Sequence, residues 1–306
     1  MSAQLSHEFF DELKEKTARV NALIEPFYPE KGSFNAEVVE AMNYSLRAGG
    51  KRLRPMFILE TLSMYGGDVR KAAPFMAALE MIHTYSLVHD DLPEMDNDEY
   101  RRGLKTTWAV YGQGMAVLAG DGLLNYAYET AAGALAAAED ETGLRRAARA
   151  LSILAGNAGI SGMVGGQCAD LMSEAGRRPE SPELLRYIHT NKTARMIASG
   201  LTIGAVLAGA PDEDVRKLDS IADAVGIAFQ IRDDLLDVEG DAAVLGKATG
   251  QDALDGKMTY ITVFGMDKAK EDVVRYTEEA LVLFDALTAS NPFLRNLLIS
   301  LVDRDR

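Results

Sequence analysis

Residues 212–237 read DEDVRKLDSIADAVGIAFQIRDDLLD. The run follows Pro211 and opens a proline-free stretch, 212–291, that is rich in Ala, Leu, Glu, Lys, Arg and Met. These are strong helix formers, so it reads as one long helix with Asp212 suited to the N-cap. Near its end stand Asp233, Asp234 and Asp237. Asp233 and Asp237 are four apart and share a face, and Gln230 lies on that face one turn earlier. Carboxylates crowded in this way repel one another and are driven toward protonation unless cations sit among them.

A second cluster, Asp90-Asp91-Leu92-Pro93-Glu94-Met95-Asp96, ends another expected helix, Pro74 to Asp91. Pro93 should stop that helix just after Asp91, so that Asp96 can turn back toward Asp90. Hard oxygen ligands without an accompanying Cys or a His cluster favour magnesium, which completes its shell with water and substrate phosphates. A diphosphate is implied. One such run alone would read as a solvated helix face, but two in matching settings, with the basic motifs below, read as a metal site. The clusters start 143 positions apart (233 minus 90), so only the fold can join them. An antiparallel bundle with both helices facing a central cavity does so.

Further helices are expected at Glu37 to Arg47, Met56 to Tyr65, Gly114 to Ala138, Leu144 to Asn157, Pro182 to Ala208 and Lys268 to Leu287, with Pro74 and Pro182 in first turns. Alternating strand patterns and hairpin turn signals are absent from the sequence. No linker divides the chain. The expected architecture is therefore all-α, a single large antiparallel helical bundle around a central cavity, with residues 1–306 as one domain.

The sequence is 47% hydrophobic with a formal charge of −14. The hydrophobic share excludes disorder, and the charge argues against non-specific nucleic-acid binding, which needs excess Lys and Arg. The longest apolar candidate, Met196 to Ala210, is too short for a membrane span. The N-terminus, with His7, Glu8, Asp11 and Glu12, lacks a secretory signal pattern. Cys168 is the lone cysteine, expected as a small packed residue; it can form no internal disulfide, which fits a cytoplasmic location.

The basic residues are gathered locally. Gly49-Gly50-Lys51-Arg52-Leu53-Arg54-Pro55 sets three cations in four positions just before a helix, where amides and guanidinium groups together suit a phosphate. Arg101-Arg102-Gly103 follows Asp96 by five residues. Lys192 sits in a helix after Asn191, while Lys247 and Lys257 lie in or near a Gly-punctuated loop; each lysine alone would read as a surface residue. His83 lies seven residues, two turns, before Asp90 on the same face. Alone it would read as a satisfied core histidine, whereas beside this pattern it reads as ligand-binding.

From about Asn35 to the C-terminus these residues resemble the trans-prenyltransferases, the short-chain isoprenyl diphosphate synthases, and among them the bacterial farnesyl diphosphate synthases. The likeness rests on the GGKRLRP run, the first aspartate-rich motif, Arg-Arg-Gly after it, Lys192-Thr193, Gln230 before the second aspartate-rich motif, and Lys247 and Lys257. It implies Mg2+, three ions per site, held chiefly by Asp90, Asp96 and Asp233 with Asp91, Asp234 and Asp237 in support. It implies that Gly50, Lys51, Arg54, His83 and Arg102 serve isopentenyl diphosphate. Arg101, Lys192 and Lys257 would grip the allylic diphosphate, with Lys247 nearby. Thr193 and Gln230 would present oxygen dipoles to the developing allylic cation. Tyr85 and Ser86, the fifth and fourth residues before Asp90, match the fifteen-carbon pattern.

The implied reaction is 1'-4 condensation of isopentenyl diphosphate with dimethylallyl and geranyl diphosphate to give farnesyl diphosphate, in a cytoplasmic homodimer without nucleic acid or membrane span. Where the family has Lys-x-Thr-Tyr-Pro, this chain has Lys257-Met258-Thr259-Tyr260-Ile261, a loss that is expected to loosen the helix start. Alternatives are a geranyl or geranylgeranyl diphosphate synthase, a terpene cyclase, or a non-catalytic partner subunit of a heteromeric synthase. A cyclase needs no basic site for a second diphosphate, and such a subunit should lack one aspartate cluster; this chain has both clusters.

Overall fold

The computed structural model describes residues 6–239 and 257–303. In chain order the helices are α1 (His7–Ile24), α2 (Ala36–Arg47), α3 (Leu53–Met64), α4 (Val69–Asp90), α5 (Thr107–Tyr111), α6 (Gln113–Ala136), α7 (Glu141–Ala158), α8 (Met163–Glu174), α9 (Pro182–Ile188), α10 (Arg195–Ala208) and α11 (Asp212–Glu239). Three more follow, Tyr260–Phe264, Met266–Asp285 and Pro292–Val302. Side chains accept the free amides at several starts: Ser6 for α1, Asp68 for α4, Asp140 for α7, Ser181 for α9 and Asn291 for the last helix.

Two helices lie inside the bundle. Every residue of α10 from Met196 to Leu207 is buried, and α4 buries residues on all sides. A helix apolar all round belongs in a core, which accounts for the apolar run at Met196 to Ala210. α4 packs against α6 and α3, and α10 against α3, α7 and α11. Phe57, Phe75, Met76 and Leu79 fill the space between. Burying each such side chain stabilises the fold by about 1.5–3 kcal/mol, and Phe75→Ala would cost about 3–5 kcal/mol. A smaller apolar cluster, including Ile227, Ile231, Leu235 and Tyr260, fixes the end of α11. Among the described residues no helix is long and apolar enough to cross a membrane.

Three local expectations are corrected. Pro74 is the sixth residue of α4 rather than in its first turn, because the Asp68 carboxylate accepts from Arg70 N at 3.0 Å and starts the helix earlier. Asp212 is the first helical residue and not the cap; it pairs with Arg149 at 2.5 Å while the Pro211 carbonyl accepts from Val215. A small hairpin is also present: Tyr100 and Arg101 pair antiparallel with Lys105 and Leu104. Its turn residues, Arg102 and Gly103, have φ 55 and 77, the positive values of a two-residue hairpin turn. Arms of two residues are too short to show alternation.

Candidate active site

α4 stops at Asp90, with Asp91 as its cap, and the chain folds back at Pro93. The Asp96 amide donates to the Asp90 carbonyl at 2.8 Å, and the Asp98 amide to that of Asp91 at 3.1 Å. Asp96 thus returns toward Asp90, as the proline predicted. Burial, helped by Asp96 and Asp91 and opposed by Lys192 and Arg101, pushes the Asp90 carboxyl up to about 6. Asp91 is raised by burial too, although Arg101 bonds it at 2.6 Å.

Between the two aspartate clusters runs α8, whose contribution the sequence reading missed. Gln167 donates to Asp90 Oδ1 at 3.1 Å, Asp170 accepts from Lys192 Nζ at 2.6 Å, and Glu174 lies 3.5 Å from Lys257. Positions 167, 170 and 174 share one helix face, so a single stripe reaches both ends of the site. Burial lowers the Lys192 ammonium, but Asp170, Asp90 and Asp96 more than offset it and leave the pKa raised. Lys192 stays charged.

Lys192 and Thr193 stand in a π-helical turn, His189–Ala194, that joins α9 to α10 into one long interrupted helix. Neighbouring backbones press on this turn. A Cβ on Gly166 of α8 would overlap the Lys192 amide, and one on Gly226 of α11 would overlap Ala194. The wider turn swings the Thr193 hydroxyl to donate to Gln230 Oε1 at 2.7 Å. π turns inside α-helices often mark functional sites. His189, pulled down to about 4 by burial, stacks on Tyr260 with centroids 6.3 Å apart.

On α11, Asp233 and Asp234 line a cavity of about 170 Å³ together with Asp170, Lys192, Gln230 and Lys257. Asp234 also accepts the Tyr260 amide at 2.6 Å, and Asp237 is buried a turn further on. Thr259 and Thr262 form a reciprocal capping box at that helix start, so Ile261 does not leave it loose. A larger cavity of about 390 Å³ is lined by Arg54, His83, Tyr85, Ser86, Asp90 and Leu171, among others, and again by Lys192 and Thr193. Those two residues therefore border both cavities. Cys168 is exposed and faces the larger one rather than packing in the core.

The basic loop divides its cations. Arg54 Nε is buried without a hydrogen-bond partner among the described residues, and burial pulls its guanidinium down to about 10. His83 is held well below its ordinary value by burial and then by Arg54 and Arg102, so it is neutral. Lys51 is exposed, whereas Arg52 turns inward, away from the cation row expected of it. Arg102 donates to the Gly49 carbonyl and lies over Gly50, where an added Cβ would meet Arg102 Nη1 at 2.6 Å. Gly50 also has φ 127, so only glycine suits it. Lys247 lies outside the described residues.

Among the described residues, no three His, Cys, Asp or Glu side chains converge closely enough to hold a metal by themselves. The carboxylates still fit magnesium: all are hard oxygen donors, and burial disfavours the charged form of Asp90, which a bound cation would stabilise.

Residues 35–282 match the Polyprenyl synthetase family. The chain is 43% identical over 280 residues to the farnesyl diphosphate synthase of Geobacillus stearothermophilus, covering 91% of each. It is 41% identical over 278 residues to that of Bacillus subtilis, covering 91% of this chain and 92% of the relative. A Helicobacter pylori geranyltransferase, solved in complex with magnesium and isoprenyl diphosphate, superposes with a TM-score of 0.80 at 31% identity, covering 98% of both chains.

Proposed function

The chain belongs to the polyprenyl synthetase family, and on that premise we propose that it is a magnesium-dependent prenyltransferase. Its reaction in this reading is the condensation of isopentenyl diphosphate with dimethylallyl and then geranyl diphosphate to farnesyl diphosphate. One observation carries the reading: Lys192 and Thr193 lie between an aspartate-lined cavity and a larger one with Arg54 and His83 in its wall. Two anionic substrates then meet at a shared border.

Asp90, Asp96 and Asp233, supported by Asp91, Asp234 and Asp237, would hold the magnesium, three ions in this proposal. When bound, magnesium neutralises the charge that develops on the leaving diphosphate. Lys192 and Lys257, with Arg101 and Lys247, supply further positive charge there, and charge poised in advance costs no reorganisation during reaction. The Thr193 hydroxyl donates its hydrogen bond to Gln230 Oε1, which leaves the hydroxyl oxygen's lone pairs to face a cation. That dipole suits an allylic cation. Lys51, Arg54, His83 and Arg102 hold isopentenyl diphosphate, beside Gly50, while its alkene attacks C1 of the cation. A proton leaves the adduct to the released diphosphate, forming the new double bond. Apolar lining by Leu87, Met95, Met163 and Leu171 keeps out water that would capture the cation.

The reading includes a single-domain chain that works as a cytoplasmic homodimer. To test the chemistry, purified protein is given isopentenyl and dimethylallyl diphosphates with magnesium, and products are measured by mass spectrometry. Farnesyl diphosphate as the main product is expected. A ten-carbon or twenty-carbon main product would replace the farnesyl assignment, and no condensation would remove the reading altogether.

A further inference from the structure

Between Lys51 and Arg54 stands a cation whose side chain goes the other way. Arg52 has φ 50 and ψ 35 ahead of α3, a left-handed conformation unusual for a residue with a side chain. That turn leaves it only 6% exposed. Its guanidinium donates to Asn21 Oδ1 at 2.9 Å, to the Leu46 carbonyl at 2.5 Å and to Glu80 Oε1 at 2.5 Å. Glu80 is 3% exposed and lies on α4 one turn before His83.

Glu80 is therefore an anion buried beneath the site read here as binding an anion. After the cost of burial, its charge is the strongest influence on both Arg54 and Arg102. Three guanidinium groups thus feel one carboxylate, and among the described residues it is Arg52 that forms an ion pair with it. A buried carboxylate deprived of its partner seeks another cation, since an uncompensated buried charge is strongly unfavourable. Two arginines that the substrate needs lie close by: Arg54 lines the same cavity as His83, one turn along α4 from Glu80, and Arg102 lies over Gly50, two residues before Arg52.

We propose that Arg52 is a positioning residue: by occupying Glu80 it keeps Arg54 and Arg102 available, in charge and in hydrogen-bond donors, for the diphosphate of isopentenyl diphosphate. This rests on the reading that those two arginines receive that substrate. Arg52 itself touches no substrate. Its effect is on binding of one diphosphate and not on ionisation of the other.

Four proteins test this: wild type, Arg52→Gln, Glu80→Gln and the double variant, each checked for helix content and melting temperature. Arg52→Gln is expected to raise KM for isopentenyl diphosphate about tenfold, with kcat and the allylic KM within about twofold. Adding Glu80→Gln should return KM to within about threefold of wild type, because no buried anion remains to compete. A double variant as impaired as Arg52→Gln would overturn the proposal, since Arg52 would then contact substrate or merely shape the loop. An unchanged KM in Arg52→Gln would overturn it as well. Should Arg52→Gln fail to fold, the double variant carries the test, its KM expected near wild type and a large KM rise rejecting the proposal, whereas Glu80→Gln strands the buried Arg52 charge and is expected to melt lower. If wild type shows no saturable use of isopentenyl diphosphate, the functional reading fails by itself. Titration of the same proteins with inorganic pyrophosphate in EDTA then decides the role of Arg52: weaker binding restored in the double variant supports it, and equal affinities throughout reject it.

Discussion

Asp90 couples the site to pH. Burial, with Asp96 and Asp91, holds its carboxyl at about 6, above the ordinary 3.8. A raised carboxyl favours the protonated fold, so its contribution to stability is present below pH 3.8 and is lost as pH rises through about 6. Magnesium reverses the preference by taking the charged form. Proton and metal should compete, and the magnesium concentration for half-maximal activity should rise roughly fourfold between about pH 7.5 and 5.5. Magnesium titrations of activity at both pH values check this, and a pH-independent midpoint contradicts it. Asp90→Asn or Asp233→Asn should lower kcat by about 10²- to 10³-fold with helix content unchanged by circular dichroism. Asp234 differs because it bonds the buried Tyr260 amide, so Asp234→Ala should also destabilise the protein by about 1–3 kcal/mol in urea unfolding. The crowding of carboxylates, the GGKRLRP run and the two-turn spacing of His83 from Asp90 marked the acidic clusters, Arg54 and His83 in the sequence, and the fold sets Asp90, Asp233, Asp234, Arg54 and His83 along two adjoining cavities. Gln167 and Asp170 were not marked, for each looks like an ordinary polar residue until α8 is laid between the clusters.

The π turn at His189–Ala194 is where an element does more than carry residues. It depends on the absence of side chains at Gly166 and Gly226, which let α8 and α11 approach its backbone. Gly166→Ala pushes a methyl group into the Lys192 amide, a backbone atom that cannot swing aside. Overpacking of this kind costs about 1–3 kcal/mol, and displacement of Lys192 should lower kcat more than it raises either KM. Thermal unfolding and steady-state kinetics of the variant test both parts; unchanged values would mean that the turn is set elsewhere. The sequence did show a helix running from Pro182 to Ala208, and the structure has one. It could not show the extra residue per turn, because the same helix formers serve both windings and the cause lies in glycines on other helices. The hairpin at Tyr100–Lys105 escaped for another reason: its signal is Arg102-Gly103, and a left-handed arginine is held by its bond to the Gly49 carbonyl across the fold.

At the scale of the molecule, the bundle lets a chain with an excess of acid accept acidic substrates. α8 links the two carboxylate clusters, Gln167 bonding Asp90 and Asp170 sharing a cavity with Asp233 and Asp234, while Lys192 and Lys257 stand beside them. The larger cavity, about 390 Å³, falls within the range of about 300–1,000 Å³ usual for small-molecule sites. Its lining runs along α4, and in the proposed reading this stretch would limit how far a prenyl tail can grow. At about 1.5 Å rise per residue, Ser86 and Tyr85 lie about 6 and 7.5 Å along the axis from Asp90. Tyr85 is 6% exposed, and its ring stands edge-to-face with that of His89, centroids 5.8 Å apart, so it is braced rather than free to swing. Ser86, small and bonded back to the His83 carbonyl, lines the same cavity beside the tyrosine. A tail extending from a diphosphate held near Asp90 would pass Ser86 and stop against the Tyr85 ring. Tyr85→Ala should therefore shift the main product from fifteen carbons to longer chains, while Ser86→Phe should shift it to shorter ones. Both are read by mass spectrometry of products at equal turnover. If neither variant alters product length, the wall that stops growth belongs to α8, whose Val164 and Leu171 line the same cavity.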